Sequence, residues 1–397
     1  MEKGKFHIVI IPTWMPKPGS TSGIFAREQA DALVACGHKV SVLMFQYVSP
    51  LNRLKLRLKG LPASNWLKGR VVTPIALDFV NPIPTRFSPD PNKKQKTAFL
   101  KFAEKKFAQY IKLNGKPDLI HHHEIADFCY ITAYLSEKFG IPYVITEHSP
   151  RHPDDIHFNA YETKEERIEM IRHAKMRMAV SNFYKRKYEG LFDTPFITVP
   201  NLVNRIFTET PLPSLPKVNQ DFRFLNVGAT VPIKRQDILI KAFTKAFKNM
   251  PGIRLTIVGS GVSENELRNL ISSLGMENRV DMPGSKNKMD ILALMDAVNI
   301  TVVSSETETF SVVAAESLSR GNPVLTTRCG GPEEFVDDNN GVVCLVNDEH
   351  DMAEKMQLIY DKYNSFDHQA IARKASEMFS EQAVVKQLEE IYTKAIA

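Results

Sequence analysis

The chain has 397 residues, more than one ordinary hydrophobic core organises, and fits two domains of about 150–200 residues each. Hydrophobic residues make up 43% and charged residues 24%, a soluble globular balance that excludes extensive disorder. The net charge of +6 suits an anionic ligand or an anionic membrane surface, and without a recognisable motif it does not point to nucleic acid.

The N-terminus reads MEKGKFHIVIIPTW; its apolar run is too short for a signal peptide, lacks a small-residue cleavage site, and reads as a first buried strand over residues 7–12. The Gly/Ser/Pro loop MPKPGSTSG leads into an amphipathic helix from Ile24 to Cys36, ended by Gly37. Strands follow at KVSVLMF, PDLIHHH, PYVITEH, RMAVS and FITVP, with a Lys-rich amphipathic helix, NKKQKTAFLKFAEKKFAQYIK, between the first two. Residues 51–70 carry six Lys/Arg, no acid, and leucines that fit a helical face or a strand; the segment is either an interfacial patch for anionic lipid or a solvated helix. No apolar stretch reaches the ~18–20 residues of a membrane span. Cys36, Cys129, Cys329 and Cys344 form no CxxC pair and suit the cytoplasm better than a disulfide scaffold. The expected location is cytoplasmic, with peripheral contact on the inner membrane face.

Residues 211–217, PLPSLPK, hold three prolines and read as part of a linker. A second series then alternates FRFLNVG, DILIKAFTKAF, IRLTIVGSG, ENELRNLISSLG, RVDMPG, KMDILALMDA, VNITVVSS, a helix, PVLTT, GVVCLV and a terminal helix. Alternating strands and helices predict parallel sheets with right-handed crossovers. In such sheets ligands sit beyond the carboxyl ends of the strands, so the residues after each strand are the candidates.

Four places stand out. In GATVPIKRQD, Gly228 permits a sharp turn, and Lys234 and Arg235 are either a phosphate-holding pair or solvated cations. GSG, including Gly259, brings backbone close to something: a ligand, or simply a tight strand-to-helix turn. In SSETETFSVVAAES a helix starts near Ser311 or Val312, so the N–H groups of Thr309, Phe310 and Ser311 are unpaired donors suited to a diphosphate or sugar hydroxyls. Glu308 precedes that helix, and Glu316 lies within it among small apolar residues, where a carboxylate is costly unless it accepts hydrogen bonds. In TTRCGGPEEFV the Gly330-Gly331-Pro332 turn is followed by Glu333 and Glu334, which could equally be helix caps.

Taken in order, these segments resemble the family 4 retaining glycosyltransferases (glycosyl transferases group 1) of the GT-B fold. The E-x7-E pattern matches Glu308 to Glu316, GATVPIKR resembles the family's G-R-x-x-x-x-K-G, and TTRCGGPEE its T-x-x-G-G-x-x-E. Gly37-His38, PDLIHHH, YVITEH and VPNLVN extend the likeness over nearly the whole chain. The resemblance implies an α/β protein with two Rossmann-like domains, facing parallel sheets and an interdomain cleft. Its parts would be an acceptor-binding domain over 1–208, a linker over 209–221, a nucleotide-sugar domain over 222–375, and a C-terminal helix over 376–397 packing back toward the first domain. Lys234 would bind the donor diphosphate, Glu316 the ribose hydroxyls, and Glu308, with the N–H groups of residues 309–312, the donor sugar. Gly23 would let backbone approach the diphosphate, and His148 would sit beside the donor sugar, so His148, Glu308 and Lys234 form the implied catalytic set. Gly19, Ser22, His123, Glu124, Ser149 and Arg151 lie on loops facing the acceptor. Consecutive histidines on a strand cannot all face one ion, so His121, His122 and His123 do not suggest a metal. With no D-x-D sequence, no metal cofactor is expected.

Two departures stand out: Ala229 replaces the usual Arg, with Arg235 a candidate substitute, and Ser311 replaces a frequent Gly. The expected reaction moves a sugar from a UDP- or GDP-sugar to a glycan, lipid-linked or small-molecule acceptor in surface polysaccharide or glycoconjugate synthesis. The alternatives are an epimerase or phosphorylase on the same fold, or a non-catalytic nucleotide-sugar-binding protein.

Overall fold

The computed structural model describes residues 5–13, 24–48, 75–80, 91–125, 129–149, 163–213 and 222–397. Gly19, Ser22, Gly23 and Arg151, the 51–70 patch and the end of the Pro-rich segment lie outside these residues. The chain divides into two compact units, one formed by Met1–Val180, Lys185–Val199 and Val385–Ala397, the other by Ser181–Tyr184 and Pro200–Val384.

In chain order the first half carries β1 (His7–Pro12), α1 (Ile24–Ala35), β2 (Lys39–Val48), β3 (Ile75–Val80), α2 (Pro91–Asn114), β4 (Leu119–His123) and α3 (Cys129–Phe139). It continues with β5 (Tyr143–Glu147), α4 (Lys164–His173), β6 (Met176–Ala179), α5 (Asn182–Phe192) and β7 (Ile197–Thr198). The strands form one parallel sheet in the order β3-β2-β1-β4-β5-β6-β7. β1, β4 and β5 are buried along their whole lengths, as strands covered on both faces must be. Strand β3 was not among the sequence expectations: its TPIALDFV context lacks a clear period.

The second half carries α6 (Arg205–Thr208), β8 (Phe222–Val227), α7 (Gln236–Phe247), β9 (Ile253–Val258), α8 (Glu264–Ser273), β10 (Val280–Gly284), α9 (Lys288–Ala297) and β11 (Ile300–Val303). Then come α10 (Val312–Ser319), β12 (Val324–Thr327), β13 (Gly341–Cys344), α11 (Glu349–Lys362), α12 (His368–Phe379) and α13 (Glu381–Ile396). Its parallel sheet runs β10-β9-β8-β11-β12-β13. Each sheet reverses its strand order once, between β1 and β4 and between β8 and β11. In open parallel sheets the crevice for a ligand forms beyond the carboxyl ends of the strands at that point.

The structure adds detail at one expected boundary and moves another. The start of the expected linker is tied down. The guanidinium of Arg320, only 2% exposed, donates to the carbonyls of Phe207 (3.3 Å), Thr210 (2.6 Å) and Pro211 (2.7 Å) while paired with Asp296 at 2.7 Å. An Arg fork can satisfy several carbonyls at once, and here it fastens the segment to the second unit. The single terminal helix resolves into three. Asp367 caps α12 through the N–H of Ala370, and the chain breaks at Ser380, which bridges Val203, so the last helix starts at Glu381 rather than at 376. Residues 385–397 belong to the first unit, where Glu389 meets His38 Nε2 at 2.8 Å and Tyr392 is fully buried.

Candidate functional site

At the β8–β11 switch point two loops are latched together. Ser304 Oγ donates to the carbonyl of Lys234 (2.7 Å), and the N–H of Glu306 donates to the carbonyl of Ile233 (2.8 Å). Lys234 ends a 3-10 turn over Pro232–Lys234, and its Nζ lies 2.5 Å from Glu308 Oε1. Ser305 Oγ donates to the same carboxylate oxygen at 2.7 Å. Both charged side chains are half-buried, so the pair is shielded more than a surface ion pair but still reached by solvent. The structure thus brings together Lys234 and Glu308, which are 74 residues apart. The roles of Ser304 and Ser305 were not read from the sequence; their only signal was their place at the end of β11.

Glu308 continues into an irregular turn before α10. Among the described residues nothing accepts a hydrogen bond from the N–H groups of Thr309, Phe310 or Ser311, so these donors stand at the helix start as expected. The Phe310 side chain plays a different part: it is 2% exposed and packs against Phe335 and Phe379, each 5.3 Å away centre to centre, so only its backbone N–H stands at the helix start. Ser311 caps the helix in the left-handed region (φ 68°), which explains why a glycine is common here in the resembled family. Val312 opens the helix, and Glu316, one turn on, is 6% exposed.

The glycines of this unit have a different partner from the one considered first. A Cβ on Gly259 would lie 1.8 Å from the Gly228 carbonyl oxygen, and one on Gly261 would lie 2.4 Å from the Thr230 oxygen. The GSG segment is therefore close to the backbone of the GAT loop, and Thr230 N–H donates to Ser260 O to hold the two loops together. Gly331 meets Thr309 and Phe310 backbone in the same way, 2.4 and 2.5 Å from a Cβ. The N–H of Glu308 donates to the Cys329 carbonyl and that of Gly331 to the Glu308 carbonyl, so the GGP turn fixes the height of the glutamate segment.

Arg235, the candidate substitute for the cation that Ala229 lacks, is paired with a neighbouring acid. It adopts φ 49°, its guanidinium forms a two-pronged pair with Asp237 (3.1 Å at each prong), and it also reaches Asn347. Glu334 accepts from the N–H groups of Asn182 and Phe183, and Glu333 accepts from Gly330 N–H at 3.0 Å. Both acids act as caps; Glu334 caps a helix far away in sequence.

In the first unit, the strand alternation separates the three histidines. His122 points to one face, with Nδ1 2.9 Å from Thr132 Oγ1 and Nε2 3.1 Å from Cys129 Sγ; burial lowers its pKa to about 4. His121 and His123 share the other face, stacked at 4.2 Å. His123 Nδ1 lies 2.9 Å from His148 Nε2, and Phe25 stacks on His148 at 3.9 Å. His123 and Glu124 are 0% and 2% exposed, so these proposed acceptor contacts lie beneath the surface, with Glu124 at φ 76°. Glu147 gathers the loop: its carboxylate accepts from the N–H groups of Ile125 (2.5 Å), His148 (2.9 Å) and Ser149 (2.6 Å). Burial pushes its pKa up to about 7 against the opposing pull of those three donors and Arg167. Ser149 also accepts at its carbonyl from the Tyr188 hydroxyl.

The family described as Glycosyltransferase Family 4 matches residues 22–205, and Glycosyl transferases group 1 matches residues 208–379. The chain belongs to glycosyltransferase family 4. An uncharacterized glycosyltransferase of Methanocaldococcus jannaschii is 27% identical over 249 residues, 60% of this chain and 64% of that protein. The matches span less than two thirds of the first curated relatives' own length. Among solved structures, sucrose-phosphate synthase from Thermosynechococcus elongatus superposes with a TM-score of 0.71 at 16% identity, covering 98% of each chain. The Anabaena HepE protein in complex with UDP gives 0.69 at 19% identity, covering 97% of this chain and 99% of that one. At such identities the likeness concerns the fold, which is GT-B. In this family 4 chain, no described helix is long and apolar enough to cross a membrane.

Proposed function

We propose that this family 4 protein is a retaining glycosyltransferase that moves a sugar from a nucleotide-diphosphate sugar to a carbohydrate or lipid-linked acceptor. The observation that carries the reading is the Lys234–Glu308 pair at the β8–β11 switch point, beside three unpaired N–H groups at the start of α10. When the sugar–phosphate bond breaks, negative charge grows on the leaving diphosphate. Lys234 and the helix-start donors supply fixed positive potential where that charge develops. In the ligand-bound state Lys234 turns from Glu308 to phosphate, and the carboxylate is released to accept from sugar hydroxyls. Glu316 holds the ribose hydroxyls, and His148 contacts the donor sugar. The UDP bound by the Anabaena neighbour supports a uridine donor for this chain, with a guanosine donor the other arm of the test.

Metal independence belongs to the same reading: Lys234 and the oriented N–H groups would supply the positive potential that a metal otherwise brings to phosphate. Peripheral contact with anionic lipid through residues 51–70 is a separate part of the proposal, motivated by their six cations. Calorimetry with UDP- and GDP-sugars, followed by transfer assays with chelator and by the anomeric configuration of the product, tests the whole. Micromolar binding of one donor and a chelator-insensitive, configuration-retaining transfer are expected. Donor binding with no transfer to any carbohydrate or lipid-linked acceptor would sink the catalytic reading.

A further inference from the structure

Around His148 the first unit holds a set of buried polar side chains that donor and acceptor binding does not explain. Gln29 on α1 is 8% exposed and sits between two imidazoles, with Nε2 3.1 Å from His121 Nδ1 and 3.5 Å from His123 Nε2. The Tyr392 hydroxyl on α13 lies 2.8 Å from the same His121 Nδ1, and Thr146 Oγ1 lies 2.7 Å from His121 Nε2. Thr146 in turn points its hydroxyl at Met178 Sδ, 3.8 Å away. His123 Nδ1 completes the chain at His148 Nε2, 2.9 Å away.

A neutral imidazole has one N–H and one bare nitrogen, so fixing one end of such a chain fixes every ring in it. Burial holds His121 and His123 well below the ordinary histidine range, so both rings are neutral at pH 7. Thr146 Oγ1 donates its hydrogen to Met178 Sδ, so it accepts from His121 Nε2, and the His121 Nδ1 left bare accepts from the Tyr392 hydroxyl. A bare Nδ1 repels an amide oxygen, so Gln29 must turn its NH2 toward it. The second hydrogen of that same NH2 faces His123 Nε2, which must therefore be bare as well.

We propose that Gln29 is a positioning residue: its amide donates to His121 and His123 together, places the His123 proton on Nδ1, and through the His123–His148 bond keeps the proton of His148 on Nδ1. His148 then meets a substrate hydroxyl as a neutral N–H donor rather than as a base. This consequence rests on the reading of His148 as a donor-sugar contact; the proton placement itself does not.

The test uses the full-length protein labelled with 15N at histidine, read by long-range proton–nitrogen correlation at neutral pH, with the two rings identified from H123Q and H148Q. Nδ1 is expected to be the protonated nitrogen of both rings. In Gln29→Met the donor is lost without a change of volume, and both nitrogens of His148 should move toward values averaged between the two tautomers. Transfer in the same variant should fall about tenfold in kcat with donor KM nearly unchanged, the scale of one neutral hydrogen bond felt in the transition state. A proton on Nε2 of His148 in the unsubstituted protein overturns the proposal even if the variant does not fold, and so does an unchanged tautomer in folded Gln29→Met. A shifted tautomer with unchanged transfer overturns the placement of His148 at the sugar and leaves the proton assignment standing.

Discussion

Lys234 and Arg235 are adjacent cations; the family pattern implies Lys234 at the diphosphate and leaves Arg235 a candidate substitute. The structure separates them: Lys234 meets Glu308 at the strand ends, whereas Arg235 is closed onto Asp237. Lys234→Ala should therefore lower kcat/KM by about a hundredfold or more, as loss of a charge-stabilising donor does, while Arg235→Ala should change it by less than about threefold. Equal losses in steady-state assays would refute the distinction. Ser311 gives a stability prediction at the same scale. Its left-handed backbone (φ 68°) costs a side chain energy that glycine does not incur. Ser311→Gly should raise stability by about 0.5–1 kcal/mol in urea titrations with donor binding retained, and a lower midpoint would count against the backbone argument.

At the scale of elements, turn glycines carry the site. The segment between β11 and α10 has no regular hydrogen bonding of its own; it is held by the Gly330–Gly331 turn and by the latch to the Lys234 loop. Gly331→Ala must push a methyl group into the Thr309 and Phe310 backbone, and backbone cannot swing aside as a flexible side chain can. A loss of about 2–3 kcal/mol is expected, with donor affinity falling alongside, measured by denaturation and calorimetry. A variant as stable as the parent would show that the turn is looser than its contacts imply. The element pattern itself was legible: continuous apolar runs named most of the strands, and β3 escaped because it has no such run. The meaning of the GSG glycines was not legible, since close approach to a neighbouring loop and close approach to a ligand demand the same residue.

At the scale of the whole molecule, buried ionisable groups tie stability to pH. His122 titrates at about 4 when folded against 6.5 when free, so the unfolded chain takes up protons first and stability rises as pH climbs from 4 to 6.5. His121 and His123, also lowered by burial, act in the same direction. Glu147 opposes them: raised to about 7 from 4.5, it holds its proton longer in the folded state, and its ionisation costs stability from pH 4.5 to 7. Three histidines outweigh one carboxyl, so the urea midpoint should rise between pH 4.5 and 6.5, and Glu147→Gln should steepen that rise. A flat or falling profile would contradict the buried neutral histidines. Arg320 provides the corresponding mechanical test. Arg320→Ala strands Asp296 and three carbonyls and should cost about 3 kcal/mol or more, read as earlier proteolysis near residues 207–211.

By itself the sequence determined two parallel α/β units, because unbroken apolar strands alternating with amphipathic helices admit few other arrangements, and it determined which loops to search, because parallel sheets gather ligands at one end. It also placed Lys234, Glu308 and the donors of residues 309–311 on that list, since each follows a strand or opens a helix. Only the tertiary structure decided which cation meets which carboxylate, that Glu334 caps a distant helix, that residues 385–397 join the first unit, and that His121 and His123 lie below His148 in a chain reaching Gln29 and Tyr392. The physical reason is the same in each case. Periodicity and turn chemistry are written locally along the chain, whereas the partner of a charge, a carbonyl or an imidazole is chosen by packing between segments tens to hundreds of residues apart, and no local pattern records that choice.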